Sequence, residues 1–117
     1  MNIEELREYC LNKKGVTESF PFDETTLCFK VMDKLFALTD TEADFSINLK
    51  CDPEKAVDLR ERYRAVQPGY HMSKKHWNTV YLDGSIDDEQ IHEWIDDSYR
   101  LVISKLPKKD QKKFLQD

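Results

Sequence analysis

The stretch TLCFKVMDKLFALTDTEADFSINLK, residues 26–50, contains three short runs typical of strands, and apolar and polar side chains alternate in the first and the third. The runs cover residues 26–32, 35–39 and 45–50, and only Asp33-Lys34 separates the first two. The apolar members of the first and third runs fall on one face of each run: Leu27, Phe29, Val31, Phe45, Ile47 and Leu49. A period of two is typical of a half-buried strand. Short links between the runs predict an antiparallel meander that begins with a tight hairpin.

Helical periodicity flanks this meander on both sides. Residues 2–13 place Leu6 and Cys10 on one face, with the glutamates outward, which predicts an amphipathic helix. A second helix is expected to start at Asp52-Pro53, because Asp caps helices and Pro fits their first turn. A third helix is expected over residues 87–105, where apolar side chains again recur at helical spacing.

Two further strands are predicted at Tyr70–Met72 and Trp77–Leu82, with Ser73–His76 as the hairpin tip between them. The resulting element order is α-β-β-β-α-β-β-α. This order predicts an α+β fold, a two-layer sandwich in which helices cover one face of an antiparallel sheet.

Composition restricts the class of protein. The length of 117 residues fits one domain over residues 1–117, with residues 108–117 as a basic C-terminal tail. No apolar run approaches the roughly 18 residues of a membrane helix, and the acidic N-terminus is unlike a signal peptide. Three cysteines lie far apart without a CxxC pair, so we expect free thiols in a cytoplasmic protein.

The stretch PGYHMSKKHWNT, residues 68–79, is basic and aromatic although the chain has a net charge of -5. The candidate DNA contacts in it are Tyr70, His71, Lys74, Lys75, His76 and Trp77. We expect Lys74 and Lys75 to contact phosphates, while Tyr70 and Trp77 fix the hairpin or stack on a base. A purely structural role stays open, because lysines at a hairpin tip prevent edge pairing and Trp77 is suited to a core.

The charge distribution limits the strength of such binding. Residues Asp83–Asp97 hold seven acids and no Lys or Arg, and the sequence pI of 5.2 is far below the value above ~9 that is usual for nucleic-acid readers. With Arg62 and Arg64 as neighbours, the tip would neutralise about 2–4 phosphates. We therefore expect weak, largely non-specific DNA binding.

Other kinds of chemistry find little support in the sequence. The nucleophile-elbow, P-loop, dinucleotide-binding and HExxH motifs are missing, so neither an enzyme nor a cofactor is expected. His71 and His76 are further apart than the usual zinc pairs, so no metal site is expected. The alternative is a protein-binding module, for which Phe20 and Phe22 would form an apolar patch if exposed. No membrane partner is expected.

Several fragments, taken in order, resemble the MmcQ/YjbR family of small bacterial proteins over about residues 1–109. The fragments are SFPFD at 19–23, KLFAL at 34–38, NLKCDP at 48–53, PGYHMSKKHWNT at 68–79, LDG at 82–84, SYRLV at 98–102 and LPKK at 106–109. Each fragment is short, and it is the ordered set that is specific.

This resemblance implies a fold like that of bacterial secretion chaperones and the CyaY-like group, in agreement with the order read from periodicity. It implies DNA binding by a double-winged arrangement, no enzyme activity and no established cofactor. Secretion-chaperone-like folds also bind partner segments through a sheet face or a helix, which keeps the protein-binding alternative open. Asp33-Lys34 departs from the glycine expected at the first hairpin, and its acid disfavours that turn as a DNA contact.

Overall fold

A computed structural model of the chain describes residues 1–69 and 72–115. In this part of the chain the elements are α1 (Ile3–Leu11), β1 (Val16–Ser19), β2 (Thr26–Val31), β3 (Lys34–Asp40), β4 (Ser46–Lys50), α2 (Pro53–Arg62), β5 (Val66–Pro68), β6 (Trp77–Tyr81), α3 (Asp88–Ser104) and α4 (Lys108–Leu115).

The six strands form one antiparallel sheet in the spatial order β1-β2-β3-β4-β6-β5. The helices pack on one face of this sheet, with α3 against the central strands β3 and β4 and α2 against β5 and β6. The α+β fold class with helices on one face of an antiparallel sheet is therefore confirmed. The structure adds β1 before the meander and α4 after α3.

The hydrophobic core lies between the helices and this covered face. Its fully buried side chains come from strand positions that alternate and from the inner stripes of α1 and α3; they include Leu6, Phe29, Val31, Phe36, Ile47, Val80, Ile91 and Ile95. The apolar positions read from residues 26–32 and 45–50 thus face this core, because strand side chains point alternately to the two faces. Cys28, Ser46 and Asn48, which point to the opposite face, are buried as well.

The first hairpin turns at Met32-Asp33, one residue earlier than the Asp33-Lys34 link that the pattern predicts. Met32 and Asp33 have φ angles of 50° and 63°, so the turn has positive φ at both central residues without a glycine. Two-residue hairpin loops favour this backbone because its twist matches that of the strands. The left-handed region costs roughly 1–2 kcal/mol for an L-residue such as Met, and the flanking sheet holds it there.

The strand that pairs with β6 is not the predicted Tyr70–Met72 but Val66–Pro68. Met72 lies outside any strand, and Tyr70 and His71 lie outside the described residues. Pro68 is tolerated because β5 is an edge strand and needs no second ladder partner. The predicted tip, Ser73–His76, is consequently a turn that leads into β6 rather than the end of a regular hairpin.

Gly69 closes this connection. Its N–H donates to the Trp77 carbonyl at 2.9 Å, and a Cβ at residue 69 would lie 2.8 Å from the Trp77 Cβ. Only glycine allows so close an approach without a shift of the backbone. Among the described residues, no helix is long and apolar enough to cross a membrane.

Candidate nucleic-acid interface

The turn Ser73–His76, called the tip below, is held by hydrogen bonds from three directions. Within the tip, the Ser73 carbonyl accepts from the N–H groups of His76 at 3.2 Å and Trp77 at 2.9 Å. From the end of β4, the Cys51 N–H donates to the His76 carbonyl at 2.7 Å. From α2, the Arg60 guanidinium donates to the Lys74 carbonyl and to the Asn78 Oδ1, the latter at 2.7 Å. The backbone of the tip is therefore fixed to both layers of the fold.

The side chains of the tip point away from these contacts. Lys74, Lys75 and His76 are exposed. No ion pair within residues 1–69 and 72–115 involves Lys74 or Lys75. With no carboxylate partner in the part of the chain that the structure describes, two ammonium groups on a fixed backbone are placed to donate to an anion.

Trp77, a predicted site residue, is only 8% exposed. It pairs with Lys50 across β4 and β6, and the Lys50 ammonium lies 5.9 Å from the centre of its ring. Trp77 therefore supports the base of the tip and orients a further cation beside it. The structure brings Lys74, Lys75, His76 and Trp77 together, while Tyr70 and His71 lie outside the described residues.

Basic and acidic side chains lie mainly at opposite ends of the sheet. Every strand pair is antiparallel, so the strand ends and the connections between strands lie at these two ends. We call the end where β1, β3 and β6 begin the lysine end. Its strand ends and connections carry Lys14, Lys34, Lys50, Lys74 and Lys75, with Asp33, Asp52 and Glu54 as the acids. The opposite end, the acidic end, carries Asp23, Glu24, Asp40, Glu42, Asp44, Asp83 and Asp87, with Arg62 and Arg64 as the cations.

The acids of α3 are in part neutralised by cations of the same molecule. Asp97 accepts from Lys55 at 2.8 Å and from Arg100 at 3.3 Å. Asp96 pairs with Lys13 and also accepts from the Tyr9 hydroxyl at 2.7 Å. The repulsion that seven acids in residues 83–97 would exert on a polyanion is reduced accordingly.

A cleft of about 580 Å³ lies on the sheet face that the helices leave uncovered. Its apolar lining comes from Phe22, Leu35, Leu38, Met72 and Tyr81, and its acids are Asp23, Asp40 and Asp44. Phe22 is 70% exposed at its edge, and the neighbouring Phe20 is 49% exposed. An apolar cleft with acidic groups at one end fits a segment that carries apolar and basic side chains.

A second cavity, of about 340 Å³, lies between α2, α3 and the sheet, and Cys51 lines it. Burial raises the pKa of the Cys51 thiol, so this group is not activated as a nucleophile. All three cysteines are free. Within the described residues, no group of three or more His, Cys, Asp or Glu side chains is arranged to hold a metal ion.

Two cations of the interface were missed from the sequence, Arg60 and Lys50. Arg60 sits on the half-buried side of α2, at the spacing of Ala56 and Leu59, and a charged residue at such a position usually has a polar partner. Lys50 ends a strand, and only the pairing of β4 with β6 brings it to Trp77. The role of Arg60 could therefore have been predicted from its helical position, whereas nothing in the sequence indicates the position of Lys50.

Comparison with known proteins gives consistent matches over nearly the whole chain. The YjbR family model matches residues 11–101. The protein YjbR of Escherichia coli K12 is 40% identical over 117 residues, which is 99% of each chain. The protein YbdF of Escherichia coli O157:H7 is 39% identical over 95 residues, covering 80% of this chain and 78% of its own.

Two solved structures are similar to this fold. The crystal structure of Deinococcus radiodurans protein DR2400, described as a DUF419 domain, superposes with a TM-score of 0.90 at 40% identity, covering 97% of this chain and 87% of its own. A crystal structure from Pseudomonas syringae gives a TM-score of 0.76 at 29% identity, covering 86% of this chain and 98% of its own. None of these names states an activity or a ligand.

Proposed function

The chain belongs to the YjbR family, and on that premise we propose that it is a non-enzymatic protein that binds duplex DNA weakly and with little sequence preference. The observation that carries this proposal is the tip, in which Lys74 and Lys75 are exposed on a backbone fixed by Arg60 and Cys51. The two ammonium groups contact phosphates, and His76 and Lys50 flank them. Phosphate contacts orient a protein on DNA but read no sequence.

The expected affinity follows from the small number of cations. Lys74, Lys75 and Lys50 neutralise about 2–3 phosphates, which gives a log–log salt slope of roughly -2 to -3. A dissociation constant of about 10⁻⁴–10⁻⁶ M at physiological salt is typical of non-specific binding.

A titration of the labelled protein with a short duplex, followed by NMR, tests the proposal. At low salt we expect shifts in the amide signals of residues 73–77 and Lys50, and their loss at high salt. The variant Lys74→Glu/Lys75→Glu should lose binding while its remaining spectrum stays that of the folded protein. Absence of any shift at low salt, or full binding by this variant, would overturn the proposal.

The variant Arg62→Glu/Arg64→Glu is the matched control. It makes the same change of net charge, but both residues lie near the acidic end. If the two double variants weaken binding equally at moderate salt, net charge decides the affinity and the tip is not the contact.

A second candidate function is supported by the cleft on the uncovered sheet face. A partner-protein segment with apolar side chains next to Lys or Arg fits it, because Phe22, Leu35 and Leu38 supply apolar surface beside several acids. Phe20 and Phe22 are both exposed and only one residue separates them, and such an exposed apolar patch is consistent with a binding surface.

A peptide of alternating Lys and Leu is a direct probe for this cleft. We expect it to shift the signals of residues lining the cleft, and Phe22→Ser to weaken it. A peptide of alternating Glu and Leu is the control for apolar contact alone. Equal binding of both peptides would contradict the role of the acids, and no binding of either would remove this candidate.

A further inference from the structure

The C-terminal helix α4 presents a face made only of lysines. Lys108, Lys109, Lys112 and Lys113 are all exposed. Their spacing is i, i+1, i+4 and i+5, which places them on one side of a helix with 3.6 residues per turn. The helix lies beyond residues 11–101, the range that the family model matches.

The opposite face of α4 attaches the helix to the rest of the protein. Gln111 donates from its Nε2 to the Leu106 carbonyl at 2.7 Å and to the Ser104 carbonyl at 3.3 Å. Phe114 packs edge-on against Tyr99, with ring centres 6.4 Å apart. A Cβ at Gly15 would lie 2.9 Å from the Phe114 ring, so the ring also sits directly on this glycine. The lysine face is therefore held outward in one orientation.

Helix α4 lies near the lysine end of the sheet, which also carries the tip. Gly15 directly precedes β1, and Val16 at the start of β1 pairs with Val31 at the end of β2. The tip leads into β6, whose first residue pairs with the last residue of β4. Four strand spacings of about 4.8 Å separate the start of β1 from the start of β6, which is about 19 Å. A duplex carries about ten phosphates over that length of its axis.

We propose that the lysine face of α4 is a second polyanion-binding site, and that it contacts the same duplex as the tip. This inference rests on the proposed function, since both sites serve one ligand. Only Lys113 among the four has an ion-pair partner within the described residues, Asp110 at 3.7 Å, and its side chain is 62% exposed. Lys108, Lys109 and Lys112 thus contribute most of the charge available to phosphates.

The additional contacts raise the salt dependence above that of the tip alone. Each phosphate contact contributes about -0.9 to the log–log slope of affinity against salt. With two to four contacts from α4, the wild-type slope becomes about -4 to -6 rather than about -2 to -3. Salt dependence therefore separates a protein that uses both sites from one that uses the tip only.

Fluorescence anisotropy of a labelled duplex between about 50 and 200 mM KCl tests the inference. The variant Lys109→Gln/Lys112→Gln keeps good helix formers and removes two charges. We expect its slope to be smaller in magnitude by about 2. The control variant Arg62→Gln/Arg64→Gln removes the same charge near the acidic end, and its slope should stay close to that of the wild type. Circular dichroism of each variant checks that the fold is retained.

The outcomes separate the two proposals. If the wild type shows no salt-dependent binding, the proposed function fails and the second site fails with it. If the wild type binds and the α4 variant keeps the full slope, the tip is the contact and only the inference about α4 is wrong. Vesicles rich in phosphatidylserine form a third arm. Binding to vesicles that depends on Lys109 and Lys112, with an unchanged DNA slope, would assign α4 to a lipid surface and overturn the inference.

Discussion

Arg60 connects the helical layer to the tip and to the start of β6 through three hydrogen bonds. Its guanidinium donates to the Asn78 Oδ1 at 2.7 Å, to the Trp77 carbonyl at 3.4 Å and to the Lys74 carbonyl. Arg60→Met keeps much of the aliphatic side chain but removes this donor from the Asn78 Oδ1 and the Lys74 carbonyl, while the Trp77 carbonyl still accepts from the Gly69 N–H. We expect the free energy of unfolding to fall by about 1–2 kcal/mol and hydrogen exchange at residues 74–78 to accelerate. Urea unfolding and amide exchange measure the two effects.

Arg62→Met is the control on the same helix. The Arg62 side chain is 66% exposed, and its one ion pair among the described residues is with Asp58 at 3.6 Å, so its loss should change stability by less than about 0.5 kcal/mol. Equal destabilisation by the two variants would mean that Arg60 does not hold the tip.

Tyr9 makes stability depend on pH in the alkaline range. Burial, followed by the hydrogen bond to Asp96, raises its pKa to about 12. The unfolded chain has the ordinary Tyr pKa of about 10, so the native state binds this proton more tightly. The resulting stabilisation is complete below pH 10 and is lost as pH rises toward 12. Urea unfolding of Tyr9→Phe should therefore show a shallower decline over about pH 10–12.

Tyr81→Phe serves as the comparison for this pH dependence, because Tyr81 is exposed at the edge of the cleft. An unchanged decline in Tyr9→Phe would show that Tyr9 does not contribute to the alkaline loss of stability.

Single residues of the site could be predicted only in part. Lys74 and Lys75 stand out in the sequence because no acid lies near them in the chain, and their exposure agrees with the expected tip. The backbone contacts of the tip depend on Arg60 and Cys51, which are distant in sequence and approach only when α2 packs on the sheet. Such a contact cannot be predicted from the residues that neighbour the tip in the sequence.

At the level of secondary-structure elements, the buried hydroxyl of Ser98 connects helix α3 to the sheet by hydrogen bonds. Ser98 donates to the Phe36 carbonyl at 2.6 Å and accepts from the Lys50 N–H at 2.8 Å. Ala37 pairs with Leu49, so Phe36 and Lys50 would form the next pair of the ladder between β3 and β4. The serine hydroxyl takes the place of that pair and connects α3 to both strands.

Ser98→Ala should destabilise the fold, since it leaves a backbone donor and a backbone acceptor without this partner. We expect the free energy of unfolding to fall by about 1–3 kcal/mol, measured by urea unfolding. Ser104→Ala, at the exposed end of the same helix, should change it by no more than about 0.5 kcal/mol. A neutral Ser98→Ala would indicate that β3 and β4 close the ladder when the hydroxyl is removed.

The elements predicted well are those with a clear period, namely the alternating runs at residues 26–32 and 45–50 and the long helix α3. Strand β1 was missed because VTES contains one apolar residue, too few to show alternation. Strand β5 was misplaced because Pro68-Gly69 is a strong turn signal, and an edge strand tolerates proline where a central strand does not. Edge strands are therefore the strands of this sheet that are hardest to predict from the local sequence pattern.

At the level of the whole molecule, basic and acidic residues alternate in groups along the sequence, and the antiparallel sheet places them at two ends with charges of opposite sign. Strand β4 separates them by five residues of about 3.3 Å each, or roughly 17 Å. The Debye length is about 8 Å at 0.15 M ionic strength and about 30 Å at 0.01 M. The acidic end should thus affect a polyanion at the lysine end only when salt is low.

The variant Glu42→Gln/Asp44→Asn tests this separation, because both side chains are exposed at the acidic end. We expect its affinity for a duplex to increase several-fold over wild type at about 0.01 M salt and to match wild type at about 0.15 M. Anisotropy titrations at the two salt concentrations measure the difference. An equal increase at both would mean that these carboxylates lie close to bound DNA. The duplex would then extend past the lysine end along the sheet, and contact by the tip and α4 alone would not describe the complex.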